Sequence, residues 1–209
     1  MTHMRILKII AFGSFSLTAL LIGFWILSGR SSFHEAWGQK PSEFLSMENF
    51  EPPLADVFKF EINQGSPTWR AVSLTRAKLA KANLIADNQG AAHFMELRLF
   101  PYVYLFIPAA ETYKIILNEE FYGARLNGVP VQGAKAAAEF LLHKKINELS
   151  IADMALLLAI NYSPSKYDPN KNPGLTLEKR NGIIDGIVAN RIISVETGET
   201  EKAKPISVF

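Results

Sequence analysis

The residue with the clearest potential for chemistry is Glu96, which lies in the apolar and aromatic run FMELRLF at residues 94–100. A glutamate is almost never buried unless it is paired, so this setting favours a functional or paired role over a place on an exposed helix face. A carboxylate in such a position can transfer a proton or balance a developing charge. Arg98, two residues later, is a candidate partner of Glu96 or a contact with a membrane surface.

Other reactive side chains are few. The chain contains no Cys, which excludes disulfides, thiolate metal sites and cysteine catalysis. Its four His, at positions 3, 34, 93 and 143, do not have the HxxxH or HExxH spacing that is typical of a zinc site. The 22 Lys and Arg are nearly balanced by 20 Asp and Glu, so the charge does not indicate a nucleic-acid partner.

The length and composition indicate a globular protein. The 209 residues suit one domain with an appendage, and 48% hydrophobic against 20% charged residues excludes a disordered chain. Beyond Trp69 the apolar residues recur with a helical period, so the domain is expected to be mainly α. No internal repeat is visible.

The appendage is an uncharged run of apolar residues near the N-terminus, Ile9–Ser28. Twenty helical residues span roughly 30 Å, the thickness of a bilayer hydrocarbon core. Arg5 and Lys8 precede the run and should stay in the cytoplasm, which places the rest of the chain outside it. The alternatives are a buried helix of a soluble protein and a cleaved signal peptide, although the run is longer than the usual apolar region of a signal peptide and has no clear A-x-A site.

The expected organisation follows from these patterns. We expect a cytoplasmic tail at 1–8, a transmembrane anchor at 9–28, a juxtamembrane linker at 29–67, a helical domain at 68–195 and a flexible tail at 196–209. Alternation predicts a short strand at Val57–Ile62. Residues 124–131 and 162–174 should be loops. The run 91–107 is either a buried core helix, broken or kinked at Pro101, or a surface that enters the membrane interface.

Several segments of the second half form an ordered series. They are ILNEEFYG at 116–123, GAKAAA at 133–138, ELSIADMALL at 148–157, SPSKYDP at 163–169 and KRN at 179–181. In order and spacing these segments resemble the family 51 glycosyltransferases, the peptidoglycan polymerases found alone or at the front of bifunctional penicillin-binding proteins. Upstream, SLTRAKLAK at 73–81 is in register with that family's STITQQLAK motif but lacks the paired Gln. Glu96 lies close to the Glu of its RK-x-x-E motif.

The resemblance implies a lysozyme-like, mainly α domain behind a single N-terminal transmembrane helix. It implies a reaction that joins two lipid-linked disaccharides as a lipid pyrophosphate leaves. Glu96 would be the second carboxylate, near the pyrophosphate and a Mg²⁺ ion if one is used. Ser73, Lys81, Arg98 and Asn118 would bind substrate, and the two cations would balance the pyrophosphate charge. Asn118 could instead have a structural role, as is expected of Gly123 and Gly133.

The family's first motif, ED-x-x-F-x-x-H-x-G with its general-base Glu, has no counterpart here. The nearest similarity, at Phe33–Gly38, is not a match, and Glu35, Glu61 and Asp87 are weak replacements for the base. Losing a general base costs about 10²–10⁴ in rate.

Two principal hypotheses therefore stay open. One is a divergent peptidoglycan glycosyltransferase of the bacterial inner membrane that polymerises or binds lipid-linked disaccharide-pentapeptide. The other is an inactive domain that binds this precursor or acts as a scaffold for other cell-wall synthesis proteins. A lysozyme-like hydrolase is a weaker third hypothesis, because no convincing second carboxylate is evident in the sequence.

Overall fold

A computed structural model describes the backbone of residues 2–38, 44–86, 88–126 and 129–206, and the side chains of 18–38, 44–86, 88–123 and 130–206. The chain divides into two compact units. The first comprises residues 1–40 and 75–107, and the second comprises residues 41–74 and 108–209.

The described residues form a mainly helical protein with one small antiparallel sheet, as the sequence predicts for the fold class. The helices are α1 Thr2–Trp37, α2 Leu54–Asn63, α3 Pro67–Lys81, α4 Gln89–Phe106, α5 Ala109–Glu119, α6 Ala134–Leu142, α7 Ile151–Tyr162, α8 Pro173–Ala189 and α9 Val195–Lys202. The strands are β1 Phe121–Leu126 and β2 Val129–Gln132.

Helix α7 is the centre of the second unit. Its residues from Ile151 to Ile160 are buried, apart from Asp153, so the helix is apolar on nearly every side. A helix of this kind needs neighbours all around it. Helices α2, α8 and α9 and strand β1 pack against it.

The first turn of α7 is closed by a capping box. Ser150 Oγ accepts the backbone N–H of Asp153, and Asp153 Oδ2 accepts the backbone N–H of Ser150 at 2.8 Å. Lys144 Nζ lies 2.7 Å from the same carboxylate oxygen. Burial raises the pKa of Asp153, but the hydrogen bonds from Lys144 and Ser150 outweigh it and hold the pKa below its ordinary value.

The C-terminal segment differs from the flexible tail expected at 196–209. It forms α9, which begins at a Ser194 cap and packs on α8. Arg180 is almost fully buried and donates to the carbonyls of Lys202 and Lys204, each at 2.8 Å. Glu201 accepts the backbone N–H of Ala152 at 2.9 Å. Sequence periodicity does not reveal this order because polar contacts, and not an apolar face, hold the segment.

Two local predictions were wrong. Residues 57–62 belong to helix α2 and not to a strand, because Leu54, Phe58 and Ile62 recur every four residues and are buried together. The loop expected at 124–131 is largely the hairpin of β1 and β2. Residues 29–67, expected to be a linker, contain the end of α1 and all of α2.

The first unit pairs helix α1 with helix α4. The indole N–H of Trp25 donates to the carbonyl of Leu97 at 3.1 Å, and a Cβ on Gly29 would lie 2.4 Å from the carbonyl oxygen of Arg98. The helices therefore approach closely at this glycine. Pro101 lies inside α4, which continues to Phe106.

Within the described part of the chain, no helix has both the length and the apolar character that crossing a membrane requires. Side chains 9–17 of the anchor expected at 9–28 lie outside the described residues.

Candidate functional site

A groove of the second unit has a volume of about 740 Å³. This is within the range of small-molecule sites, about 300–1,000 Å³. The end of α2, the turn that follows it and the start of α3 form one wall; α7, α8 and the residue after α5 form the other. The lining residues are Glu61, Gln64, Gly65, Ser66, Trp69, Arg70, Glu120, Leu158, Asn161, Tyr162 and Lys179.

One side of this groove is a closed polar network. Arg70 Nε donates to Glu120 Oε1 at 2.8 Å, and Arg70 Nη2 donates to Asn161 Oδ1. Asn161 Nδ2 in turn donates to Glu120 Oε2 at 3.0 Å. Both carboxylate oxygens of Glu120 are therefore engaged, so the carboxylate is held in one orientation.

An ion pair between α2 and α8 also lines the groove. Lys179 Nζ lies 3.2 Å from Glu61 Oε1, and the side chains are 25% and 10% exposed. The same ammonium lies 4.4 Å from the ring centroid of Tyr162. A cation at this distance is attracted by the ring, so three side chains fix one another.

Two aromatic side chains complete the groove. Trp69 is 38% exposed and Tyr162 is 68% exposed. Aromatic rings offer an apolar face beside a polar edge. A pyranose ring has the complementary character, because its C–H face packs on an aromatic ring while its hydroxyls bond to carboxylates and amides. The arrangement can therefore hold a sugar.

A buried phenol lies beneath the network. Burial raises the pKa of Tyr122 well above its ordinary value, the negative charge of Glu120 raises it further, and the positive charge of Arg70 opposes both. Tyr122 therefore stays protonated near neutral pH and does not act as a base.

Three of the residues predicted for the site lie in the first unit. Glu96 is on α4, with Oε1 at 3.3 Å from Arg76 Nε and a side chain that is 20% exposed. Arg98 donates from Nη2 to the carbonyl of Ser28 at 3.0 Å. Lys81 is the last residue of α3 and is exposed. The structure thus pairs Glu96 with Arg76, a residue that the sequence analysis did not consider.

The other two predicted residues, Ser73 and Asn118, lie in the second unit. Ser73 is half-buried on α3. The Asn118 amide donates to the carbonyls of Leu45 and Lys114, each at 2.8 Å, and its Oδ1 accepts the N–H of Leu45 at 2.9 Å. These hydrogen bonds to the backbone favour a structural role for Asn118 over substrate binding.

Glu96 is also the residue that the resemblance implies as a Mg²⁺ ligand. Arg76 already places a positive charge 3.3 Å from its carboxylate, and a guanidinium so close repels a second cation. Among the described residues, no group of three or more His, Cys, Asp or Glu is placed to hold a metal ion. A Mg²⁺ ion at Glu96 stays a prediction.

Sequence reasoning missed most of the groove. Glu120 follows Asn118 by two residues in the ILNEEFYG segment, and Lys179 is in the KRN segment at 179–181, so both had a signal. Arg70 and Asn161 had no such signal in the sequence. Their role depends on contacts between residues 50 and 91 positions apart, and such contacts leave no local pattern.

The comparisons with known proteins concern the second half of the chain. Residues 111–188 match the family model described as Transglycosylase. The chain is similar to penicillin-binding protein 1B of Haemophilus influenzae, with 32% identity over 99 residues that cover 47% of this chain and 12% of that protein. It is also similar to penicillin-binding protein 1A of Pseudomonas aeruginosa, with 29% identity over 97 residues that cover 46% of this chain and 11% of that protein.

A crystal structure of penicillin-binding protein 1A from Haemophilus influenzae aligns with 69% of this chain and 17% of its own, at 21% identity and a TM-score of 0.40. The sequence matches confirm the resemblance to the family 51 glycosyltransferases in the second half of the chain. They span 11% to 13% of the curated relatives. The groove residues Glu120, Leu158, Asn161, Tyr162 and Lys179 all lie inside the matched range.

Proposed function

We propose that this chain, which carries a transglycosylase-family sequence over residues 111–188, serves peptidoglycan synthesis by binding lipid-linked disaccharide-pentapeptide. The observation that carries the proposal is the groove of the second unit. The family-like segment supplies one wall of it, and the side chains that line it suit a sugar.

The disaccharide of the precursor is assigned to this groove. Trp69 and Tyr162 offer ring faces on which a pyranose can pack. Glu120 and Asn161 are fixed by their mutual hydrogen bond, so the remaining lone pairs of their side-chain oxygens are preorganised to accept hydrogen bonds from hydroxyl and acetamido N–H groups. Preorganised polar groups lose little conformational entropy when a ligand arrives.

The hydrogen bonds and ion pairs that hold the carboxylates favour binding over turnover. Glu120 is held by Arg70 and Asn161, and Glu61 is held by Lys179. In the first unit, Glu96 is paired with Arg76. A general base must present a free oxygen to the proton that it takes, and both oxygens of Glu120 already accept hydrogen bonds.

A working glycosyltransferase is the second candidate function. It is favoured by the presence of two carboxylates, Glu61 and Glu120, in a single groove, because paired carboxylates are a common means of glycosidic chemistry. In that case one of them, or Glu96, would replace the base that the first family motif supplies in relatives.

Anchoring at the bacterial inner membrane, with a single pass and the second unit outside the cytoplasm, belongs to the same proposal. It is supported by the uncharged run 9–28 and by Leu20, Leu21, Phe24 and Leu27, which are each more than 60% exposed. Extraction of cell membranes at alkaline pH tests it, because an anchored protein stays in the pellet.

The experiment uses the purified full-length protein with lipid-linked disaccharide-pentapeptide and Mg²⁺ in detergent. Saturable binding without polymer is expected from the wild type. Trp69→Ala should weaken binding about tenfold or more, since the loss of an aromatic anchor in a binding site costs about 1.4 kcal/mol or more. Polymer made by the wild type and lost in Glu61→Gln, Glu120→Gln or Glu96→Gln would establish the second candidate instead.

A further inference from the structure

A second groove adjoins the first in the same unit. Its volume is about 440 Å³, and Lys166, Tyr167, Leu175 and Glu178 are among the residues that line it. Glu61 and Lys179 line both grooves. The two grooves therefore meet at the Glu61–Lys179 ion pair, and a ligand that extends past this pair passes from one to the other.

Aromatic rings continue across the junction. Tyr162 lies in the first groove and Tyr167 in the second, with ring centroids 6.1 Å apart and planes tilted by 59°. Lys179 lies over the ring of Tyr162 at 4.4 Å, and Lys166 over that of Tyr167 at 5.1 Å. Each groove thus has a ring with a cation beside it. The distance between the two ring centroids is of the order of the length of one sugar unit in a linear chain.

The size and chemistry of the two grooves limit the ligand. Both volumes are within the range of single small-molecule sites, so together they have room for more than one disaccharide. The charged pair at the junction is only partly exposed, and an apolar lipid chain across it would remove its remaining water without replacing the hydrogen bonds. A chain rich in hydroxyl and amide groups replaces them.

We infer that the two grooves together bind a lipid-free glycan strand longer than a disaccharide, with sugar units on both sides of the Glu61–Lys179 pair. This inference rests on the proposed function, because it assigns the first groove to a disaccharide. It adds a second subsite, built by the loop after α7 and the face of α8, for the sugars that follow.

The test is calorimetric titration of the full-length protein with β-1,4-linked N-acetylglucosamine oligomers of two and six sugars. The six-sugar oligomer should bind about tenfold tighter than the two-sugar oligomer, because it reaches the second groove. Tyr167→Ala should abolish this difference and leave the two-sugar affinity unchanged. Lys166→Ala, a change at an exposed side chain, is a second variant that should reduce the difference if Tyr167→Ala does not fold.

The matched control is Tyr104→Ala, an exposed tyrosine of the first unit, which should change neither affinity. Equal affinities for both oligomers would overturn the second subsite, as would a free pentapeptide that binds as tightly as the six-sugar oligomer. If lipid-linked precursor still binds in either case, the proposed function stands. If neither precursor nor oligomer binds, both proposals fall.

Discussion

Arg70 and Glu120, fifty positions apart in the chain, are joined by a 2.8 Å hydrogen bond from the guanidinium Nε to the carboxylate Oε1. The bond ties the start of α3 to the residue that follows α5, and Asn161 at the end of α7 bonds to both partners. Three segments of the second unit thus converge on one carboxylate, which makes this network the most constrained part of the groove.

Removing Arg70 should destabilise the protein. In Arg70→Met, the half-buried Glu120 carboxylate keeps the bond from Asn161 but loses its cation, so the free energy of unfolding should fall by about 1–3 kcal/mol. Urea denaturation measures this change. The control is Lys59→Met, which breaks the exposed Lys59–Asp56 pair and should cost less than about 0.5 kcal/mol. Equal effects of the two changes would contradict the importance of the network.

Asp153 should make a pH-dependent contribution to stability. Its pKa is lowered in the folded protein, so the carboxylate stabilises the fold above the ordinary Asp pKa of about 3.9 and loses this contribution as the pH falls through the folded value. Asp153→Asn should be less stable than the wild type by about 1 kcal/mol at pH 7. This difference in stability between the two proteins, the gap, should disappear in acid.

Urea midpoints of both proteins at pH 7 and below pH 4 measure that gap. Glu139→Gln, a change at an exposed residue of α6, is the control and should show no such gap at either pH. A gap for Asp153→Asn that persists undiminished in acid would mean that the charge of the carboxylate is not what stabilises the start of α7.

Arg180 should be essential for the order of the C-terminal helix. Its guanidinium bonds to two carbonyls at the end of α9, and burial lowers its pKa, opposed by the charges of Glu201 and Asp153. Arg180→Met leaves these carbonyls unsatisfied, so the amides of α9 should lose hydrogen-exchange protection and stability should fall by about 2–4 kcal/mol. Lys135→Met, at an exposed site, should leave the exchange of α9 as in the wild type.

Gly133 should not accept a side chain. It has φ of +84°, and a Cβ there would lie 2.7 Å from the carbonyl oxygen of Asn118. Gly133→Ala should lower the melting temperature through a loss of more than about 1 kcal/mol. Gly174→Ala is the matched change, because nothing lies within 4 Å of a Cβ at the start of α8. It should be neutral or slightly stabilising, and a similar loss at both sites would refute the argument.

The predictable part of the fold is the part with local signals. The capping box of α7 and the helices of the second half follow from residue spacing, and the family-like motifs are concentrated there. Val57–Ile62 was wrongly predicted as a strand because six residues can fit the period of a strand and the period of a helix at once. Only the wider spacing of Leu54, Phe58 and Ile62 distinguishes the helix.

The groove was less predictable because its network joins distant segments. Glu61 was considered only as a weak replacement for the general base, and its pairing with Lys179 spans 118 positions. Glu96 drew attention because it is a charge among apolar residues, and the structure pairs it with Arg76 from a different helix. A sequence pattern identifies a carboxylate that needs a partner but does not identify the partner.

The groove of the second unit is proposed to bind the disaccharide of the lipid-linked precursor. The most direct test is the quenching of tryptophan fluorescence as precursor is titrated into the full-length wild type, Trp69→Phe, Tyr162→Ala and Tyr104→Ala. We expect saturable quenching in the wild type and in Tyr104→Ala, with most of it lost in Trp69→Phe, and an affinity at least about tenfold weaker in Tyr162→Ala. Unchanged quenching in Trp69→Phe together with unchanged affinity in Tyr162→Ala would place the precursor elsewhere and contradict the claim.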